Sequence, residues 1–416
     1  DNSNNTSFTG NGTGSIFIQD AQLESGLVAT DYLNSGATTA KAGVLVDLPR
    51  INYDANGNNG ALLLEPQRAN LITHSEYANS GGWGNFVRIT ALNNQSLSPE
   101  GLVNATKINE TAVNNTHIID RSFLAVSGTT YTLSYFAKAA ERTQCYIFAY
   151  SDNSVFASQR AIFDLSDGTI TSNAGNGAAK IEAYTNGWYR VSLTVTSAAT
   201  STGYFGFGLA LNDAVSYAGV VSNGALFYGI QLESGATFPS SYIPNHGTSG
   251  GVTRAADSCT SSSITTSTDF SIIFEAKDFC LINGSVGGSY DHIQFVFSPT
   301  GGPYGSGGSY HIYANQLYYF NGSTNTSFGV IFNSQTDSKF ALVKRGNKGI
   351  IYANGVKKTE ITLPSGADAK VINWDTIDLT QSLQDAQGDV FGSNYKQLIK
   401  FNEALSDSEL ATLTTL

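Results

Sequence analysis

The sequence predicts an all-β protein: two tandem jelly-roll β-sandwiches followed by one short C-terminal helix. Charged residues make up only 13% of the 416 positions, whereas aromatic residues reach 11% and glycine occurs 43 times. Such a composition is typical of many short strands joined by polar turns. The 41% share of hydrophobic residues is enough to build packed cores. Because 416 residues are too many for one ordinary core, the length predicts two or three domains.

The first sandwich is predicted over residues 44–245. In the segment TTYTLSYFAKAA, apolar residues such as Tyr131 and Tyr135 alternate with polar ones, which indicates a strand with one buried face. The dipeptide Asp167-Gly168 supplies left-handed turn residues for a hairpin within AIFDLSDGTI. Further strands are predicted at 61–76, 145–150, 187–196, 204–211 and 224–232.

A Gly/Ser/Thr-rich stretch at 246–263 is interpreted as a linker, and the second sandwich is predicted over 264–416. The Asn-Gly dipeptide at 354–355 is a strong signal for a two-residue hairpin turn. Ser406 and Glu409 have the spacing of a capping box, which predicts the start of the terminal helix. The other strands of this half are predicted at 269–279, 292–299, 310–320, 339–358 and 395–405.

One stretch of the sequence occurs twice. Residues 7–26 align without a gap with residues 216–235, and both copies end in the pentapeptide QLESG. Each copy indicates the closing strand of a sandwich, bounded by Gly-rich turns. We therefore assign residues 1–43 to the terminal strands of an upstream repeat or to a linker. Because a lone closing strand would expose backbone hydrogen-bonding groups, we expect a larger upstream domain; the alternative is an edge strand added to a neighbour.

The charge of the chain excludes some classes of partner. The formal net charge is −11, and lysine and arginine form no cluster of the kind that a nucleic-acid groove needs. Acidic polysaccharides would be repelled unless a divalent cation bridged the two, so we expect a neutral glycan or a host-surface protein as partner. No apolar run approaches the roughly 20 residues of a membrane span.

The sequence offers no clear case for catalysis. Glycoside hydrolysis needs two facing carboxylates, and Glu275 and Asp278 lie three apart in a predicted strand, which places them on opposite faces. None of the five histidines has a partner at metal-ligand spacing, and the three cysteines form no metal motif. Lyase chemistry at His311 is the weaker alternative to a strand residue. We therefore expect a non-enzymatic protein.

Sugar binding combines a flat aromatic face with planar polar side chains that contact hydroxyl groups. Trp188 is interpreted as a core residue. Trp83 lies in a Gly-rich loop, where packing and sugar binding both remain open, and the loop TGGPYGSGGSY has no obvious role in a core. The candidate carbohydrate contacts are Trp83, Tyr304, Tyr310, Tyr319 and Trp374.

Several strings are specific enough to indicate a family. The segments ALLLEPQRANLITHSE, FAKAAERT, NGWYRVSLTVT and QLESGATFPSSYIPNHGTSGGVTRAAD together resemble a module common in bacteriophage structural proteins, which is similar to galactose-binding-like, carbohydrate-binding jelly rolls. This resemblance covers about residues 44–257. Residues 258–416, which end in LSDSELATLTTL, are similar to concanavalin A-like (laminin-G-like) domains.

The resemblance implies a virion appendage protein, either a fibre or a capsid decoration, that adheres to host-surface or environmental glycans at the virion surface. It also implies a homotrimer that contacts other virion subunits. No cofactor is required, but jelly rolls of this kind often hold a structural calcium ion, for which the resemblance points to the carboxylates of Glu76 and Glu233.

Three alternatives stay open. The chain is also compatible with a purely structural fibre or cement protein without sugar binding, with a glycan depolymerase, and with a secreted bacterial adhesin that carries the same modules at the cell surface.

Overall fold

A computed structural model describes residues 22, 50–53, 58, 60–78, 83–150, 155–257, 259–261, 269–279, 293–299, 309–313, 316–320, 324–331, 336–363, 374–378 and 393–416. The chain divides into two units, Asp1–Leu48 and Pro49–Leu416. Apart from Gln22, the first unit lies outside the described residues, and so does the prediction for residues 1–43.

The second unit is all-β with a short terminal helix, as predicted. Its first strands are β1 (Ile51–Asn52), β2 (Ala61–Leu64), β3 (Arg68–Asn70), β4 (Asn85–Val87), β5 (Ile89–Ser96), β6 (Ala105–Glu110), β7 (Asn114–Ala125), β8 (Thr130–Ala139), β9 (Gln144–Tyr150), β10 (Gln159–Asp164), β11 (Thr169–Ala174), β12 (Ala178–Ala183), β13 (Trp188–Thr196), β14 (Ser201–Ala210), β15 (Ser216–Ala218), β16 (Gly224–Ser234) and β17 (Val252–Arg254). A 3₁₀ turn, Thr185–Gly187, joins β12 to β13.

The remaining elements follow in the C-terminal half. They are β18 (Thr260–Ser261), β19 (Phe270–Phe279), β20 (Ile293–Pro299), β21 (Ser309–Tyr313), β22 (Gln316–Phe320), β23 (Asn325–Ile331), β24 (Thr336–Arg345), β25 (Lys348–Ala353), β26 (Val356–Thr362), β27 (Trp374–Asp378), β28 (Ser393–Phe401) and helix α1 (Asp407–Leu413). No described helix is long and apolar enough to cross a membrane.

Two antiparallel sheets form the first sandwich. Sheet I has the strand order β12-β13-β8-β16-β6-β5, and sheet II has the order β11-β10-β9-β14-β7-β15, with β4 beside β7. The core between them is rich in rings; Tyr135 of sheet I lies 4.9 Å from Phe207 of sheet II, measured between ring centroids. The predicted alternation in β8 is confirmed, because Tyr131, Leu133 and Tyr135 all belong to this core.

The second sandwich also has two sheets. Sheet III has the order β1-β2-β28-β19-β24-β25-β26, and sheet IV has the order β18-β27-β20-β21-β22-β23. Alternate residues of β19, such as Phe270 and Phe274, enter the core together with Tyr319 of sheet IV. The predicted turn between β25 and β26 is present, with Asn354 and Gly355 at φ values of 50° and 78°.

Helix α1 covers the outer face of sheet III. Ser406 caps it, and the predicted capping box with Glu409 is present in both directions. Leu410 is fully buried and packs into a cluster with Ile273 and Val343, which point away from the main core. The helix therefore buries apolar side chains that sheet III would otherwise expose.

Strand β2 joins the second sandwich although it precedes the first one in the sequence. Leu62, Leu63 and Leu64 pair with Tyr395, Asn394 and Ser393 of β28. Leu64 is 4% exposed and lies in the core of the second sandwich. The sequence predicts that residues 61–76 open the first sandwich. The pairing shows that β2, at the start of this segment, belongs to the second sandwich, so the segment contributes to both sandwiches.

A network of ion pairs lies next to β2. Glu65 accepts hydrogen bonds from Arg50 at 2.6 Å and is paired with Arg254 at 3.0 Å. Arg50 also donates to Asp257, whose carboxylate accepts from the backbone N–H of Glu65 at 2.7 Å. The network thus ties the segments that enter and leave the first sandwich to each other.

The side chain of Asn70 fastens the closing segment of the first sandwich. Its Nδ2 donates to the carbonyls of Ile230 at 3.1 Å and Ile243 at 2.8 Å. Its Oδ1 accepts from the N–H groups of Ile72 at 3.0 Å and Leu232 at 3.2 Å. Asn70 is fully buried, so all four bonds are shielded from water.

Candidate functional site

Trp83 lies in the core of the first sandwich. It is 1% exposed and packs edge-on against Phe207, with ring centroids 5.9 Å apart. A ring so enclosed has no open face for a sugar, so the geometry favours the packing interpretation of Trp83. Trp188 is equally buried, as expected, but it lies on the face of sheet I that points away from this core.

The other candidate sugar contacts lie in the second sandwich. Tyr319 is fully buried in its core, so its ring likewise has no open face. Tyr310 lies on β21 and Trp374 on β27, where the structure describes the backbone alone. Tyr304 lies outside the described residues.

Glu76 is buried among hydrogen-bond donors. Tyr242 donates to its Oε1 at 3.1 Å, Tyr228 donates to the same oxygen at 3.3 Å, and Asn104 donates to Oε2 at 3.3 Å. Burial raises the pKa of this carboxyl above its ordinary value of 4.5; His246 acts in the opposite direction. Calcium prefers six to eight oxygen ligands, whereas three protein donors already bind this carboxyl group.

Glu233 is equally enclosed. Ser240 donates to Oε1 through its hydroxyl at 2.5 Å and to Oε2 through its N–H at 3.0 Å. Both oxygens are thus occupied by one serine. Among the described residues, no three histidine, cysteine or acidic side chains group together as metal ligands. Calcium binding by Glu76 and Glu233 stays a prediction of the resemblance; in this structure protein donors hold both carboxylates.

A different feature stands out on the outer face of sheet II. Side chains of β9 alternate, so that Cys145, Ile147 and Ala149 enter the core. Their neighbours Tyr146, Phe148 and Tyr150 project to the opposite face. Three large rings in a row on the face away from the core are unusual, because apolar groups normally face inwards.

These rings continue onto strand β14. The Tyr150 and Tyr204 rings lie 4.8 Å apart and 9° from parallel, and Phe148 lies 5.9 Å from Tyr150 at 28°. Phe148, Tyr150 and Tyr204 are half-buried, whereas Tyr146 is 3% exposed and packs against Phe148 at 5.6 Å. We call the three half-buried rings the aromatic platform and regard Tyr146 as its buried support.

Glycines on β14 make room for the platform. A Cβ atom at position 206 would lie 2.3 Å from Cζ of Phe148 and 2.6 Å from the carbonyl oxygen of Ile119. A Cβ atom at position 208 would lie 3.0 Å from the ring of Tyr146. Both rings therefore lie over a stretch of β14 without side chains, because a side chain at Gly206 or Gly208 would collide with the ring and with the neighbouring backbone.

Polar groups flank the platform on both sides. Asp120 of β7 pairs with Gly206 in register, and Arg160 of β10 pairs with Phe148. Tyr150 donates a hydrogen bond to Oδ2 of Asp120 at 3.2 Å. Oδ1 of Asp120 and Nε of Arg160 are buried and have no hydrogen-bond partner among the described residues.

This arrangement matches what a sugar requires. Half-exposed rings can take the C–H face of a pyranose, and a carboxylate and a guanidinium at their edges can accept from and donate to its hydroxyl groups. A ligand hydroxyl on Oδ1 of Asp120 would remove the cost of leaving that acceptor unsatisfied.

The strings CYIFAY and YFGFGLAL were both predicted as strands, but the platform was not predicted. In the first string every second residue is an aromatic ring and the residues between them, Cys145, Ile147 and Ala149, are smaller. In the second string, glycines occupy the face that Tyr204 shares. Large rings alternating with smaller residues, beside a strand with glycines at period two, form the signal that could have revealed the site.

Comparison with known proteins adds only distant likenesses. No protein-family model matches the chain, and a search by sequence matches no curated protein. Among solved structures, the chain is similar to the Ruminococcus gnavus IT-sialidase CBM40 bound to α2,3-sialyllactose, with 16% identity and a TM-score of 0.28 over 36% of this chain and 84% of that one.

Two further solved structures are similar at the same level. The heptameric SAP-like pentraxin of Limulus polyphemus shares 15% identity over 38% of this chain and 74% of that one, with a TM-score of 0.28. Domains LG4-5 of the mouse laminin α1 chain share 11% identity over 71% of this chain and 89% of that one, with a TM-score of 0.23. The structural neighbours thus include carbohydrate-binding modules and laminin G domains.

Proposed function

We propose that the first sandwich is a non-catalytic glycan-binding module that holds a neutral glycan on the aromatic platform. One observation carries this proposal: three half-buried rings lie side by side on an outer sheet face, flanked by Asp120 and Arg160. Phe148 packs against a small buried cluster of Tyr146, Ile162 and Ala210 on this outer face, whereas the stacked rings of Tyr150 and Tyr204 belong to no buried cluster.

A binding experiment with matched variants tests the proposal. The wild-type chain is screened against arrayed neutral polysaccharides and oligosaccharides, and the strongest binder is measured by calorimetry. Phe148→Ala and Tyr204→Ala should each weaken binding about tenfold or more, since a central aromatic contact is worth on the order of 1.4 kcal/mol or above. Tyr53→Ala changes an exposed ring outside the platform and should leave the affinity unchanged.

Two results would contradict the proposal. One is that no neutral glycan binds to the folded wild-type chain, which would favour a purely structural role. The other is binding that Phe148→Ala and Tyr204→Ala leave intact. Release of new reducing or unsaturated ends from the bound glycan would instead indicate a depolymerase.

We also infer a role for the whole chain as a virion appendage, a fibre or capsid decoration that presents this module to host-surface glycans. This inference rests on the resemblance of residues 44–257 and 258–416 to modules of bacteriophage structural proteins. Such appendages are usually homotrimers, so light scattering should give three times the chain mass of 44.0 kDa. A monomer at all concentrations would contradict the trimer, and the absence of the chain from purified virions would favour a secreted bacterial adhesin.

A further inference from the structure

Arg190 occupies an unusual position on the outer face of sheet I, the face that points away from the core of the first sandwich. It is 5% exposed and lies over the ring of Phe136, with 5.3 Å from Cζ to the ring centroid. Its Nη2 donates to the hydroxyl of Ser134 at 3.2 Å, and its Nε is buried without a hydrogen-bond partner among the described residues. A buried guanidinium normally has a carboxylate partner, because an isolated buried charge is costly.

The acids on this face are engaged elsewhere. Glu182 pairs with Arg190 in register, but its carboxylate binds Lys180 at 2.8 Å. Glu233 lies further along the same face and is held by Ser240. Within the part of the chain that the structure describes, no carboxylate lies within ion-pair distance of Arg190.

A second cation lies beside it. Lys138 of β8 pairs in register with Trp188, two residues before Arg190 on β13, so the two cations are diagonal neighbours across adjacent strands. Neighbours of this kind have Cα atoms about 7–8 Å apart, within reach of long side chains. Lys138 is half-buried and, among the described residues, has no ion pair of its own.

An exposed aromatic ring lies beside these cations. Tyr184 is 40% exposed and contacts the Phe136 ring edge-on at 5.0 Å, so Phe136 links the guanidinium to the surface. Gly187 has no side chain, and a Cβ atom there would meet nothing closer than Cε of Lys138 at 3.8 Å. A ligand could therefore approach Lys138 across bare backbone.

The base of this surface is rigid. Trp188 is buried and donates from Nε1 to the carbonyl of Leu97 at 3.1 Å. Tyr228 is also buried, contacts Phe136, and donates to Glu76. Ring packing of this kind holds Phe136, and with it the guanidinium, in one place before a ligand arrives.

We propose that the surface formed by Lys138, Tyr184, Gly187 and Arg190 binds the carboxylate of an acidic sugar, such as a uronic acid. The carboxylate supplies the anion that Arg190 lacks, since guanidinium and carboxylate match as paired donors and acceptors. Lys138 adds a second charge, and the Tyr184 ring takes the C–H face of the sugar. The surface lies on the opposite sheet from the aromatic platform, so this proposal and the proposed function can fail independently.

The chain has a net charge of −11, so two neighbouring cations without acidic partners are a distinctive place for an anionic ligand to bind. A polyanion is repelled by most of such a chain and attracted only where cations stand uncompensated. The sequence led to the expectation of a neutral glycan because no run of lysine and arginine is visible. Lys138 and Arg190 are 52 positions apart and become neighbours only when β8 pairs with β13.

Calorimetry on the full chain at low salt tests the proposal, with trigalacturonate as the probe and its methyl ester as the uncharged control. Wild-type protein should bind the acid and lose at least about tenfold in affinity for the ester. Lys138→Ala should weaken binding of the acid about tenfold, and Arg190→Lys, which keeps the charge but not the paired donors, should weaken it as much or more. Lys358→Ala, at an exposed lysine of the second sandwich, should change it less than about twofold.

The proposal is overturned if the folded wild-type chain does not bind trigalacturonate at millimolar concentration, or if the methyl ester binds as well as the acid. It is also overturned if Lys138→Ala, a half-exposed change that leaves the core intact, has no effect. Phe148→Ala serves as the opposite control: it should weaken the neutral-glycan binding proposed above about tenfold or more and leave trigalacturonate binding unchanged.

Discussion

Tyr150 and Tyr204 lie directly opposite each other on strands β9 and β14, with ring planes 9° apart and centroids separated by 4.8 Å. Both project from the face of sheet II that points away from the core. On β14 the next residues of that face are Gly206 and Gly208, over which Phe148 and Tyr146 lean. The aromatic platform and its buried support therefore depend on these two glycines, whose missing side chains leave space for the rings.

A substitution at Gly206 should therefore disrupt both the platform and the sheet. In Gly206→Ala the new methyl group would lie 2.3 Å from Cζ of Phe148 and 2.6 Å from the carbonyl oxygen of Ile119, and a backbone atom cannot move aside cheaply. We expect a loss of about 1–3 kcal/mol in the free energy of unfolding, measured in urea, and loss of neutral-glycan binding. Ser122→Ala, an exposed position opposite Tyr204, should change neither; wild-type behaviour of Gly206→Ala would refute the packing argument.

The fold could be predicted from the sequence wherever the pattern is local. The alternation in β8, the turn at Asn354-Gly355 and the capping box of α1 each depend on a few adjacent residues, and all three are present. The candidate site could not be predicted in this way. Its residues come from four strands, and only the register of β10, β9, β14 and β7 brings Arg160, Phe148, Gly206 and Asp120 into one row.

The tryptophans show a related difficulty. A Gly-rich surrounding was compatible with an exposed ring at Trp83, yet the side chain is buried against Phe207. A large ring buries so much apolar area that it often packs into a core even when it lies in a loop, so a loop position is a weak indicator of exposure. The rings of β9 were a better indicator of exposed aromatic side chains. The residues between them, Cys145, Ile147 and Ala149, already supply the face of the strand that enters the core.

Leu64 should affect the second sandwich, although it precedes the first one in the chain. It is 4% exposed within the second core, so Leu64→Ala should cost about 2–5 kcal/mol. Hydrogen exchange followed by mass spectrometry should show faster exchange in β28 and β19 and no change in β8 and β13. Ile72→Ala is the matched control, because Ile72 belongs to the first core and should give the reverse pattern.

Asn70 should be hard to replace. Asn70→Ala would leave the carbonyls of Ile230 and Ile243 and the N–H groups of Ile72 and Leu232 without their partner in a fully buried place. A buried group left unsatisfied costs about 1–3 kcal/mol, so a total loss of about 3 kcal/mol or more in urea unfolding is expected.

The comparison for Asn70 is an exposed asparagine that makes one part-buried hydrogen bond. Asn173 donates to the carbonyl of Gly177 at 3.3 Å, and Asn173→Ala should cost no more than about 0.5 kcal/mol. Equal effects of the two substitutions would show that Asn70 does not fasten the closing segment. Asn70→Asp should also destabilise, since it keeps the acceptor and removes the donor of two bonds.

Glu76 should make stability fall as pH rises. Burial raises its pKa above 4.5 in the folded chain, so between 4.5 and that raised value the folded state binds more protons than the unfolded state. The free energy of unfolding therefore decreases with increasing pH across this window. Glu76→Gln cannot ionise and should remove that decrease, which urea unfolding at a series of pH values would measure. Parallel pH curves for wild type and Glu76→Gln would show that Glu76 does not titrate abnormally.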